Sequence, residues 1–207
     1  MPNNLKIEFP EVKQGRSEKT LDDILQAAEQ IVSAANPQKF TSRTLAEKSG
    51  YALGTLSYRI GPIDNAFLWA IDKLREKSYE NMTHMLQEFD DNQPLKTLIE
   101  NIVDDAFKTI KRVNPKVIRF FEDRLTKLSA LPPDFYTTID ILAKPFVETA
   151  LRNQTHTFRV ISEDEAILLL RTTLTIIRRP FIIEDPIAGT EEHRRIAIDS
   201  LVRLFGR

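Results

Sequence analysis

Apolar residues along this chain recur at steps of three and four, as in helices that bury one face. Leu21, Ile24, Leu25, Ala28, Ile31 and Val32 make the first such stripe. Thr20 is placed to cap that helix, with Asp22 and Asp23 in the first turn where the helix dipole favours carboxylates. A turn at Asn36-Pro37 is expected to end it. Two short patterns follow, Thr41 to Ser49 and about Ala52 to Ile60, separated by Gly50. A long pattern runs from Ile63 to near Phe89. Beyond Pro94 the spacing predicts helices over 95–113, 116–130, 134–153 and 163–179, and a last one from about Thr190 to the C-terminus. Pro37, Pro62, Pro94, Pro115, Pro132, Pro133 and Pro186 fall between these patterns. No stretch alternates apolar and polar residues at the period of a strand. The expected fold is all-α, with a compact three-helix unit ahead of a larger helical bundle. The predicted organisation is a polar arm over 1–16, the small unit over 17–62 and the bundle over 63–207.

Bulk properties narrow the function classes. With 42% hydrophobic and 29% charged residues, the 207-residue chain has the composition of a globular protein with a real core. It has no cysteine, which excludes disulfides, zinc–thiolate sites and thiol nucleophiles. No apolar run approaches the roughly 20 residues that a membrane-spanning helix needs, and the first residues lack the apolar stretch of an export signal. The expectation is a cytoplasmic protein with no membrane contact. Net charge is −1, so a nucleic-acid reading has to rest on where charges lie and not on their sum. Residues 1–60 hold eight Lys/Arg against seven Asp/Glu, but from Lys39 to Pro62 four residues are basic and only Glu47 is acidic.

That local excess coincides with the most informative stretch, TSRTLAEKSGYALGTLSYRIG over 41–61. Thr41 is positioned to cap a helix through its hydroxyl. Leu45 and Ala46 would face inward, and Ala46 is small enough for a second helix to pass close by. Gly50 sits where a helix has to end in a tight turn, which often requires positive φ. Leu56 and Ile60, four apart, supply the inner face of the next helix. A capped helix, a glycine turn and a second short helix together describe a helix-turn-helix.

In register, this stretch resembles the DNA-binding unit of the TetR family of bacterial transcriptional regulators. The matching pieces are Thr41, Leu45-Ala46, Ser49-Gly50, Gly54-Thr55-Leu56, Tyr58 and Arg59, and the preceding helix with Ala27-Ala28 is similar too. The motif-level resemblance covers about residues 17–70 and departs at Ser57, where an aromatic is usual, and at Ile63, where a lysine is usual. It implies a regulator, as a rule a repressor, that binds palindromic double-stranded operator DNA as a homodimer and is released by a small-molecule effector. Major-groove entry by the second short helix would make Thr55, Ser57, Tyr58 and Arg59 its DNA-facing groups. Arg43, Lys39 and Lys48 would flank them as further contacts, with Lys13, Arg16 and Lys19 on the arm.

The rest of the chain would then dimerise and sense. Leu170, Leu174 and Ile177 in the helix 163–179, and Ile198, Leu201, Val202 and Phe205 in the last helix, are the expected dimer interface. The middle helices, from Ile63 to Asn153, would hold the effector, with His84, Phe120, Phe121, Arg124 and Tyr136 as candidate ligand contacts and Asp123 beside them. No cofactor is implied. Two other readings stand beside this one: a TetR-like protein that acts through protein partners without DNA, and an all-helical enzyme. For the latter, Asp22-Asp23, Asp90-Asp91 and Asp104-Asp105 invite a metal, but His84, His156 and His193 are not at ligand spacing from one another. No phosphate loop, nucleophile elbow or HExxH occurs, so no catalytic or metal residue is assigned.

Overall fold

The computed structural model describes residues 9, 15–34, 39–120 and 138–207. These residues are helical with no strand among them, apart from one isolated antiparallel bridge between Phe158 and Gly206. In chain order the helices are α1 (Gly15–Ser33), α2 (Ser42–Ser49), α3 (Leu53–Ile60), α4 (Ile63–Gln87), α5 (Leu95–Val113), α6 (described over 115–120), a 3-10 turn at Thr138–Leu142, α7 (Ala143–Arg152), α8 (Glu163–Ile182) and α9 (Glu191–Phe205). The all-α expectation is met. The described residues fall into two compact units, one of 9, 15–34, 39–76 and 112–120 and the other of 77–111 and 138–207.

The first unit forms because α1 carries Ile24, Leu25, Ala28, Ile31 and Val32 on one buried stripe. Leu45 from α2 and Leu56 and Ile60 from α3 complete its interior. Phe67 of α4 has no exposed surface and takes Phe40 edge-on at 5.1 Å and Phe120 of α6 at 5.4 Å. One expectation fails here. The first helix starts at Gly15, so Thr20 lies inside it and does not cap it, and Glu18 is the acid of the first turn. Residues 15 and 16 belong to α1 rather than to the arm; Lys13 and the Asn36-Pro37 turn lie outside the described residues. Asp72, on α4, is 7% exposed, and burial pushes its carboxyl above the usual carboxylate range against the opposing pull of Arg75 at 3.5 Å.

In the second unit, α5 presents Leu98, Ile102 and Phe107 to the core, while Phe146 of α7 meets Phe205 of α9 at 4.6 Å. Arg152, in the last turn of α7, donates through Nη2 to the carbonyls of Leu86 at 2.7 Å and Gln87 at 2.9 Å. These acceptors belong to the last turn of α4, where no intrahelical partner remains. The Arg152 Nε–H also donates to Asp91 Oδ1 at 2.6 Å. Ser162 and Thr190 cap α8 and α9 by accepting from the amides of Glu165 and His193. The helix expected over 163–179 runs on to Ile182, through Pro180. The stretch read as a helix over 134–153 is, where described, a 3-10 turn followed by α7.

Candidate nucleic-acid interface

Local chemistry builds the helix-turn-helix. Thr41 is extended (φ −127°, ψ 158°), and its hydroxyl accepts the Thr44 amide at 3.1 Å. At the other end of α2, Gly50 takes φ +76°, a left-handed conformation that disfavours any side chain, and its N–H donates to the Ala46 carbonyl at 2.9 Å. The chain then turns through Tyr51, whose hydroxyl donates to Asp23 Oδ2 of α1 at 2.7 Å and ties the turn to the first helix. α3 closes at Gly61, and Asn65 Nδ2 donates to the Ile60 carbonyl at 3.0 Å, fixing the passage into α4.

With Leu56 and Ile60 buried, α3 turns its opposite face to solvent. Tyr58 is 70% exposed and Ser57 is exposed beside it. Thr55 and Arg59, expected to be exposed, are half-buried. The Arg59 guanidinium lies 5.0 Å from the Tyr58 ring, a cation–π contact that holds both side chains. Arg43 and Lys48 on α2, and Lys39 just before it, are exposed. Leu53, which the sequence pattern does not single out, is exposed at the first position of α3. Its signal was available in the four-residue step to Ser57.

The other candidate residues divide differently. His84 is exposed on α4, and Phe120 packs on Phe67. Phe121, Asp123, Arg124 and Tyr136 lie outside the described residues. Of the residues expected at a dimer interface, Leu170, Ile177, Ile198, Leu201 and Phe205 are buried in the chain's own core, and Leu174 and Val202 are half-buried. These five form the inward stripes of α8 and α9, which their own unit covers. The exposed apolar residues in this region are Leu168, Ile183 and Ile196.

No protein-family model matches the sequence, and no curated protein sequence matches it either. Solved structures do match. A protein from Mesorhizobium loti assigned to the TetR family of transcriptional regulators superposes with a TM-score of 0.63 at 13% identity, covering 94% of this chain and 100% of that one. A TetR transcription regulator from Haloarcula marismortui gives 0.62 at 14% identity, over 92% of this chain and 100% of that one. A TetR-family regulator from Streptomyces coelicolor gives 0.57 at 10%, over 90% and 87%. The fold is TetR-like. At these identities the likeness lies in the arrangement of helices.

Proposed function

We propose that this protein is a TetR-type transcriptional regulator, acting as a repressor on palindromic operator DNA. The observation that carries this reading is the exposed outer face of α3, held by the Thr41 cap and the Gly50 turn and flanked by Lys39, Arg43, Lys48 and Arg59. Phosphate contacts from these cations would fix register, while α3 entered the major groove. Four basic residues make a small footprint, so two copies of the chain, matched to a two-fold operator, give useful affinity where one would not. In this scheme residues 17–62 hold DNA, and residues 63–207 dimerise and take up a small-molecule effector, in the cytoplasm. An effector relieves repression only by binding the DNA-incompetent arrangement more tightly than the competent one.

One member of each carboxylate pair that invited an enzymatic reading has a structural partner: Asp23 accepts from the Tyr51 hydroxyl. Asp104 takes Arg194 in a two-pronged ion pair at 2.7 and 2.8 Å, and Asp91 accepts from Arg152. Among the described residues, no helix is long and apolar enough to cross a membrane.

The test is binding of the purified chain to DNA fragments flanking its own coding region, at two salt concentrations, with Arg59→Ala and Lys48→Ala alongside. Selective binding that weakens steeply with salt, with a shallower salt slope for Lys48→Ala and a large loss for Arg59→Ala, is the expected result. A folded protein that binds no fragment above the non-specific level at low salt would exclude DNA as the partner.

A further inference from the structure

We infer that Leu53 reads the 5-methyl group of a thymine, so that each operator half-site carries an A·T pair facing the start of α3. This rests on the DNA-binding reading above. Leu53 opens α3 and is 53% exposed, one turn ahead of the exposed Ser57. No charged side chain stands on the outer face of α3, since Arg59 is half-buried against the Tyr58 ring. Such a face reads DNA through hydroxyls and through apolar contact. The thymine methyl is the apolar feature that base edges present in the major groove. The interior of the unit uses Leu56 and Ile60 from α3, while Leu53 leaves more than half of its surface to solvent.

Gly54 supplies an independent observation. It sits within α3, where glycine is the poorest helix former after proline. A Cβ built on it meets nothing within 4 Å. The packing of the chain therefore gives no reason for a glycine at this position. A bare backbone next to Leu53 lets the start of α3 approach the groove closely, near enough for a side chain as short as leucine to touch a base edge.

The experiment uses the full chain to select duplexes from a randomised library, then replaces each thymine of the selected half-site by deoxyuridine, which removes only the methyl. At one position the wild type should bind about fourfold more weakly, the equivalent of one lost methyl contact. Leu53→Ala should bind the thymine and uracil versions equally. Gly54→Ala should raise the thermal midpoint while weakening DNA binding. If every uracil version binds the wild type as the parent does, or if Leu53→Ala keeps the uracil sensitivity, the inference is overturned and the DNA reading stands. If the chain selects no sequence and binds none above the non-specific level, the DNA reading fails and takes the inference with it.

Discussion

His193 donates from Nε2 to the carbonyl oxygen of Ile176 across 3.0 Å, supplying the bond that Pro180 removes from α8. In an uninterrupted helix that carbonyl would accept the amide of the residue four positions on, but proline has none. The tautomer follows from the other ring nitrogen: the Gly189 amide donates to Nδ1 at 3.1 Å, which leaves Nε2 to carry the proton. The ring is 3% exposed and lies between Phe107 at 4.7 Å and Phe181 at 5.5 Å. His193→Leu keeps most of the volume but strands a part-buried carbonyl and a part-buried amide, and should cost about 2 kcal/mol. In the Pro180→Ala background the helix regains its own donor, so the same substitution should cost about 1 kcal/mol less. Urea unfolding of the four proteins measures this. Equal costs in the two backgrounds would disprove the coupling.

The turn of the helix-turn-helix depends on two local devices. Gly50→Ala forces a side chain into φ +76°, at a cost of about 1–2 kcal/mol. Thr41→Ala removes the hydroxyl that accepts the Thr44 amide, worth about 1 kcal/mol. The sites lie at opposite ends of α2, so the double variant should lose close to the sum of the single losses. Denaturation midpoints test the additivity. On the proposed function, DNA affinity should fall with both, because α3 is placed by this turn. Unchanged affinity in a destabilised Gly50→Ala protein would show that the turn does not position the reading face.

These devices were legible in the sequence because they are local: a threonine ahead of a short apolar pattern and a glycine behind it need no tertiary information. Thr190 was legible for the same reason. Pro180 was not, because its tolerance depends on His193 reaching back from another helix. Nor was the start of α1, where the Asp22-Asp23 pair made Thr20 look like a cap although the helix begins at Gly15. The inner stripes of α8 and α9 were seen, but periodicity alone does not say whether the chain's own helices or a second copy cover an apolar face. Within α3, the spacing alone picks out the buried Leu56 and Ile60, but it does not separate the exposed Leu53, Ser57 and Tyr58 from the half-buried Thr55 and Arg59, which depends on what packs around the helix.

Asp72 sets a pH dependence of definite sign. Its carboxyl is raised above the ordinary value, chiefly by burial, so the folded state binds the proton more tightly than the unfolded chain does. The stability this contributes is fully present below the unfolded value and is lost as pH rises through the folded one. Above that window a buried carboxylate is carried at a cost that Arg75 only partly offsets. Asp72→Asn should therefore raise the thermal midpoint at neutral pH, with the advantage shrinking as pH falls through the carboxylate range. Melting curves of both proteins from neutral to acid pH would show it, and an advantage that grows toward acid would refute the assignment.

The two leucines on opposite faces of α8 separate folding from self-association. Leu170 is buried in the core, so Leu170→Glu places an unpaired carboxylate among apolar side chains and should unfold the protein or cost at least about 3 kcal/mol. Leu168 is 62% exposed, and the neighbouring Thr172 hydroxyl donates back to the Leu168 backbone carbonyl at 2.9 Å, so that its proton has a partner within the helix. A surface of that kind can be desolvated at little cost when a second copy covers it. On the homodimer proposal, Leu168→Glu should keep the helical content and melting behaviour of a dilute monomer while raising the dimer dissociation constant at least about tenfold. Sedimentation across a concentration series, beside circular dichroism, reads both quantities. A folded Leu168→Glu protein that associates as strongly as the wild type would place the contact elsewhere than on the outer face of α8.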